Sequence, residues 1–133
     1  MTEIPQELDW VEQRAACSAE QIFKELQMGI ENDVSSMNAV DPDNEHFVAQ
    51  LTSDGKVLIV ANDGPWSKGR VKLFAVAGKI EVRDEIAQTE WSAKVVFSDD
   101  GRCRLRLVED GRELEQWQFR KKALEGLFFG DRP

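Results

Sequence analysis

The sequence predicts an α+β domain. An N-terminal amphipathic helix, preceded by a short one, packs on a curled antiparallel meander of about six to seven strands, and a short helix closes the C-terminus. Three observations predict this fold. Four Asp-Gly steps (Asp54-Gly55, Asp63-Gly64, Asp100-Gly101, Asp110-Gly111) punctuate short β-prone runs, and Asp-Gly supplies the positive φ angles of tight hairpin turns. Ahead of them, residues 22–37 repeat apolar side chains at helical spacing. No linker, repeat or low-complexity tract divides the 133 residues, so residues 1–133 read as a single domain. That length buries roughly two-thirds of the unfolded surface without metals or disulfides.

Leu8, Val11 and Ala15 share a helical face, which predicts a first helix over residues 7–16. Ser18-Ala19-Glu20-Gln21 has the form of a capping box, in which the serine oxygen accepts the N3 amide and Gln21 reaches back. From there Ile22, Phe23, Leu26, Ile30, Val34 and Met37 make one apolar stripe, opposite Glu20, Lys24, Gln27 and Glu31. The helix is expected to stop before Asp41-Pro42, because a residue preceding proline avoids the α region.

Strands are expected at approximately 46–53, 56–62, 70–77, 80–85, 89–98, 102–109 and 113–119. A two-residue Gly78-Lys79 turn would pair Ala77 with Ile80, Ala75 with Val82 and Leu73 with Asp84. It would also set Lys72 against Glu85 and lay Arg83 against Phe74. At Ser98–Arg102 only a three-residue loop with left-handed Gly101 gathers an apolar face, pairing Phe97 with Cys103, Val95 with Leu105 and Ala93 with Leu107. A two-residue Asp110-Gly111 turn would place Leu114, Gln116 and Gln118 on the core face and set Arg106 beside Glu115 and Arg104 beside Trp117. Residues 119–129 then read as the closing helix. The layout is similar to the cone of cystatin-like or nuclear-transport-factor-like folds, in layout alone.

The net charge of −8 is unevenly placed. Residues 1–45 hold eleven acids against two bases, and residues 46–133 hold fourteen acids against fifteen bases. Such an acidic chain repels phosphate backbones, so no nucleic-acid partner is expected. Neither a secretory signal at residues 1–7 nor a run long enough to span a membrane is present, so no membrane partner is expected. Cys17 and Cys103 have no framework spacing and read as reduced thiols of a cytoplasmic protein.

Catalytic machinery is thin. One histidine, His46, and no tyrosine leave few acid–base arrangements and no multi-histidine metal site. The loop Asp41-Pro42-Asp43-Asn44-Glu45 fails as a calcium loop, since its sixth position is His46 and its twelfth Thr52. Neither a cofactor nor a metal is expected. Asp33 falls inside the apolar stripe, as a ligand-facing carboxylate would, or where the stripe rotates away from the core. The loop holding Trp66, Lys68 and Arg70 offers an aromatic anchor between cations, unless Trp66 folds back to cap the sheet. Arg104 and Trp117 complete the candidate ligand- or partner-binding residues, on an arginine-bearing sheet face that also carries Arg102 and Arg106.

These residues suggest a small non-enzymatic binding domain. It would use a curled-sheet pocket for an apolar ligand, or a sheet face for a protein partner or a homodimer. One alternative is an acidic adaptor, resembling secretion chaperones in composition only. Another is a carboxylate-dependent enzyme using Asp33 with His46 or Asp84 in the helix–sheet cavity.

Overall fold

A computed structural model of the chain describes residues 5–40, 46–62 and 69–130, with side chains from Trp10 onward in its first helix. Two helices open the chain, α1 (Pro5–Ala16) and α2 (Ala19–Val40). Seven strands follow: β1 (Phe47–Leu51), β2 (Val57–Asn62), β3 (Arg70–Val76), β4 (Lys79–Asp84), β5 (Thr89–Phe97), β6 (Cys103–Leu107) and β7 (Glu113–Leu114). A third helix, α3 (Gln116–Phe129), ends the described chain. The strands lie side by side in sequence order, every neighbour antiparallel, in a sheet that does not close. This is the α+β meander that the sequence predicts.

At the start of α2, Ser18 Oγ accepts the Gln21 amide at 3.1 Å. Gln21 reaches forward to Glu25 at 3.0 Å rather than back, so half of the expected capping box forms. The stripe buries as expected: Ile22, Phe23, Leu26, Ile30 and Val34 face the sheet. α3 adds Phe119, Ala123, Leu124, Leu127 and Phe128 to the same layer. The inward sheet residues Leu58, Val60, Val71, Leu73, Ile80, Val82, Ala93, Leu105 and Leu107 are at most 1% exposed, so the layer between helices and sheet is filled with side chains. Asn38 fastens α2 to the edge strand. Its side-chain amide donates to the Phe47 carbonyl and accepts the Phe47 amide, both at 2.9 Å, satisfying backbone groups that an edge leaves open.

The β5–β6 hairpin has the expected three-residue loop, with Gly101 at φ 83° and Phe97, Val95 and Ala93 opposite Cys103, Leu105 and Leu107. Two other hairpins correct the expected register, each by a slide of two residues. The β3–β4 turn is Ala77-Gly78, not Gly78-Lys79, with φ of 52° and 77°. Leu73 therefore pairs with Val82 and Ala75 with Ile80. Asp84 moves from mid-sheet to the end of the ladder, opposite Val71, where its Oδ1 accepts the Ile86 and Ala87 amides at 2.9 and 3.0 Å. A carboxylate in mid-sheet would have faced the core unpaired, and the slide removes it. Lys72 still reaches Glu85 (3.0 Å) and Arg83 still lies over the Phe74 ring (5.0 Å), now as diagonal neighbours.

The last hairpin slides likewise. Leu107 and Arg112 close a four-residue loop, Leu105 pairs with Leu114, and Arg106 pairs with Glu113 rather than Glu115. β7 ends after two residues because α3 begins at Gln116, three residues before the expected start. The Glu115 amide donates to Gln118 Oε1 at 2.9 Å, a capping contact that fixes this start. Trp117 thus leaves the sheet for the first turn of α3 and does not stack under Arg104, and Gln116 and Gln118 are helical.

The reduced-thiol expectation is overturned. Cys17, buried between α1 and α2, is bonded to Cys103 at the start of β6, with Cα atoms 5.5 Å apart across 86 residues of chain. Sequence spacing carries no trace of so distant a contact. In the chain-entropy account a loop of this length stabilises by about 4.6 kcal/mol.

Two outcomes follow from this geometry. Ala77 sits in the left-handed region that a two-residue turn demands, so Ala77→Asn is expected to stabilise by about 0.5–1 kcal/mol in urea unfolding. Cys103→Ser is expected to lower the unfolding free energy by about 2–4 kcal/mol, and reductant to do the same to the wild type but not to the variant.

Candidate functional site

α2 and α3 run side by side in the same direction. Gln116 Nε2 donates to Glu25 at 2.7 Å, and further along Arg120 Nε donates to Asp33 Oδ2 at 2.8 Å. Gly29 makes room for this pair, because a Cβ there would stand 2.5 Å from the Arg120 guanidinium. A mid-helix glycine costs about 1 kcal/mol against alanine, and at this position it lets an arginine lie flat on α2.

Beyond the ion pair the seam opens into a groove of about 470 Å³. Met37 and Val40 line one wall, and Trp117, Leu124, Phe128 and Phe129 the other. The buried faces of Leu124 and Phe128 form its floor side, whereas Val40 (78%), Trp117 (56%) and Phe129 (53%) stand exposed. Lys121 and Glu125, paired at 3.1 Å, sit on the α3 rim. Groove walls that are mainly apolar, with a few polar groups, suit a ligand's apolar surface. A second, more polar cleft of about 510 Å³ lies beside the disulfide, between Gln13, Arg102, Glu115 and Trp117.

The expected site residues do not all converge. Asp33 and Trp117 both line the α2–α3 groove. Trp66 and Lys68 lie outside the described residues. Arg70 opens β3 at the other side of the sheet, 3.5 Å from Glu85. Arg104 stands on the sheet face away from the helices and is held from two sides: both its terminal nitrogens meet Asp100 at 2.9 Å, and its Nε meets Glu115 at 3.1 Å. These hydrogen bonds, that to Asp100 first, raise the Arg104 pKa and hold Asp100 below the ordinary aspartate range. Arg106 and then Ser98 lower Glu113 in the same way. The sequence alone does not single out Arg120, Val40 or Phe129. The one signal available was the apolar end Leu127-Phe128-Phe129, longer than a covering helix face needs.

The carboxylates proposed for acid–base work are otherwise engaged: Asp33 by Arg120, and Asp84 by two turn amides. His46 is exposed ahead of β1. Among the described residues no three His, Cys, Asp or Glu side chains are grouped to hold a metal ion, and no helix is long and apolar enough to cross a membrane. No protein-family model matches the chain, and neither a curated protein nor a solved structure is significantly similar to it.

The Arg104 cluster has a pH signature. The carboxylates of Asp100 and Glu113 titrate lower when folded than unfolded, so their contribution is complete above the unfolded values, about pH 4–4.5. It is lost as pH falls through the lower folded values. Carboxyl NMR titration is expected to give an Asp100 midpoint below that of an ordinary aspartate, and Arg104→Gln is expected to return it upward.

Proposed function

We propose that the chain is a non-enzymatic binding domain whose α2–α3 groove receives an apolar helical segment of a protein partner. One observation carries the reading. Of the eight exposed large hydrophobic residues among those described, Val40, Trp117 and Phe129 gather on this one groove. Aromatic anchors at the two ends of an apolar channel are what a helix-in-groove contact uses, with side chains at i, i+3 and i+7 filling it. A small apolar ligand is the second reading, favoured by a volume within the range of small-molecule sites. The engaged states of Asp33 and Asp84 weigh against carboxylate catalysis. A cytoplasmic location rested on reduced thiols, and the Cys17–Cys103 bond shifts the proposal toward an oxidising compartment.

Native mass spectrometry of the purified chain, gentle against denaturing, tests the groove. Bound mass is expected that leaves on denaturation, and Phe129→Asp and Trp117→Ala are each expected to reduce its occupancy about tenfold, as loss of a binding anchor does. Bound mass that both variants retain in full would move the site elsewhere.

A further inference from the structure

We infer that the chain pairs with a second copy of itself through β1, edge to edge and antiparallel, with Gln50 facing Gln50 across a twofold axis. The inference goes beyond the groove and stands whatever the groove receives.

β1 forms one edge of the open seven-stranded sheet. In an antiparallel ladder one residue bonds to a given neighbour and the next turns its N–H and C=O the other way. The phase is fixed at both ends of β1. The Thr52 amide donates to the Val57 carbonyl at 2.9 Å, so Val48, Gln50 and Thr52 bond toward β2. Phe47, Ala49 and Leu51 therefore face the open side, where Asn38 takes both backbone groups of Phe47. The N–H and C=O of Ala49 and of Leu51 are left, and on that side they meet no partner among the described residues.

Folds blunt such an edge with charge, proline, a bulge or brevity. The opposite edge of this sheet is blunted: β7 is two residues long, carries Glu113 and gives way to α3. β1 has none of these devices. Its sequence Phe-Val-Ala-Gln-Leu holds no charge and no proline, and its five residues pair one to one with β2, without a bulge.

The four open groups select both occupant and register. With two β1 strands antiparallel about Gln50, Ala49 of each copy exchanges two hydrogen bonds with Leu51 of the other, and every open group is used. An axis at Ala49 would call on Phe47, which Asn38 already holds. An axis at Leu51 would set Ala49 against Ser53, in the turn beyond the strand. Side chains match the same symmetry. Gln50 is the exposed residue of β1, and a primary amide, both donor and acceptor, is complementary to its own copy. On the other face Ala49 meets Leu51 of the second copy, and both already pack at the rim of the core. The result is a closed, isologous dimer.

Cysteine cross-linking of the full chain in oxidised glutathione tests the register, with circular dichroism confirming that each variant folds. The chain's own cysteines are already paired. Residues opposite in a non-hydrogen-bonded pair have Cα atoms about 4.5 Å apart, within the reach of a disulfide. Gln50→Cys is expected to form a covalent dimer about tenfold faster than Val48→Cys, whose two copies would be offset by about 13 Å along the strands. Wild type is expected to be dimeric at about 100 µM by sedimentation equilibrium, as befits a small interface. Two substitutions weaken the contact from the open side without touching the β1–β2 ladder. Ala49→Pro removes one donor from each copy, and Gln50→Lys sets two ammonium groups face to face. Each is expected to weaken dimerisation about tenfold, and added salt is expected to restore Gln50→Lys but not Ala49→Pro. A monomeric wild type, Val48→Cys cross-linking as fast as Gln50→Cys, or a dimer untouched by both Ala49→Pro and Gln50→Lys overturns the inference.

Discussion

A β-strand can slide along its neighbour by two residues and keep its facing, but a slide of one turns every core side chain into water. The rest of this structure depends on that parity. Leu58, Leu73, Val82, Ala93 and Leu105 lie on one face of five successive strands, and α2 and α3 find there the surface their own stripes must cover. With the face fixed, exact pairing is decided by finer terms. At β3–β4 those terms are a mid-sheet carboxylate against a strained Ala77, and the sheet accepts the strained turn. Left-handed alanine costs about 1–2 kcal/mol, less than an unpaired carboxylate facing the core.

Parity also explains how much of the fold was legible. Strand number, facing, the helical stripe of α2 and the Gly101 loop all follow from periods of two and 3.6 and from one turn residue. The two slid registers were not legible, because Ala77-Gly78 lacks the Asn-Gly or Asp-Gly signature and because Glu115-Gln116-Trp117-Gln118 alternates as a strand would. Only the Gln118 side chain, turned back to the Glu115 amide, shows it as a helix start. The Lys72–Glu85 ion pair and the Arg83–Phe74 cation–π contact survive the slide because long side chains reach diagonal as well as direct neighbours. A correct contact thus stood on an incorrect register.

The candidate site was half legible. Asp33 was conspicuous as an acid within an apolar stripe, but its meaning depends on Arg120, 87 residues away. A strand at Trp117 would give it a stacking role that its helix abolishes, and the residue instead stands exposed at the groove. The spacing of Cys17 and Cys103 carries no pairing signal, and only the fold makes them a pair. What a sequence shows by periodicity is which face a residue takes, and what it hides is which distant residue shares that face.

The groove has a physical origin in the two helices themselves. The spacing of packed helices is set by the side chains at their contact. Gly29 brings Arg120 flat against α2 where the seam is closed by the Asp33 ion pair. Toward the C-terminal ends the facing residues include Met37, Val40, Leu124 and Phe128, all larger than Gly29. Deep packing is satisfied there from the sheet side, since Phe128 meets Phe47 with ring centroids 5.1 Å apart. The outer half of the seam is left apolar, open and bounded by Trp117 and Phe129. A helix seam that closes at one end and opens at the other leaves apolar surface that costs free energy in water until something covers it. The same chain carries, on a junction pinned by a disulfide, a short helix on which Trp10 and Val11 are likewise exposed.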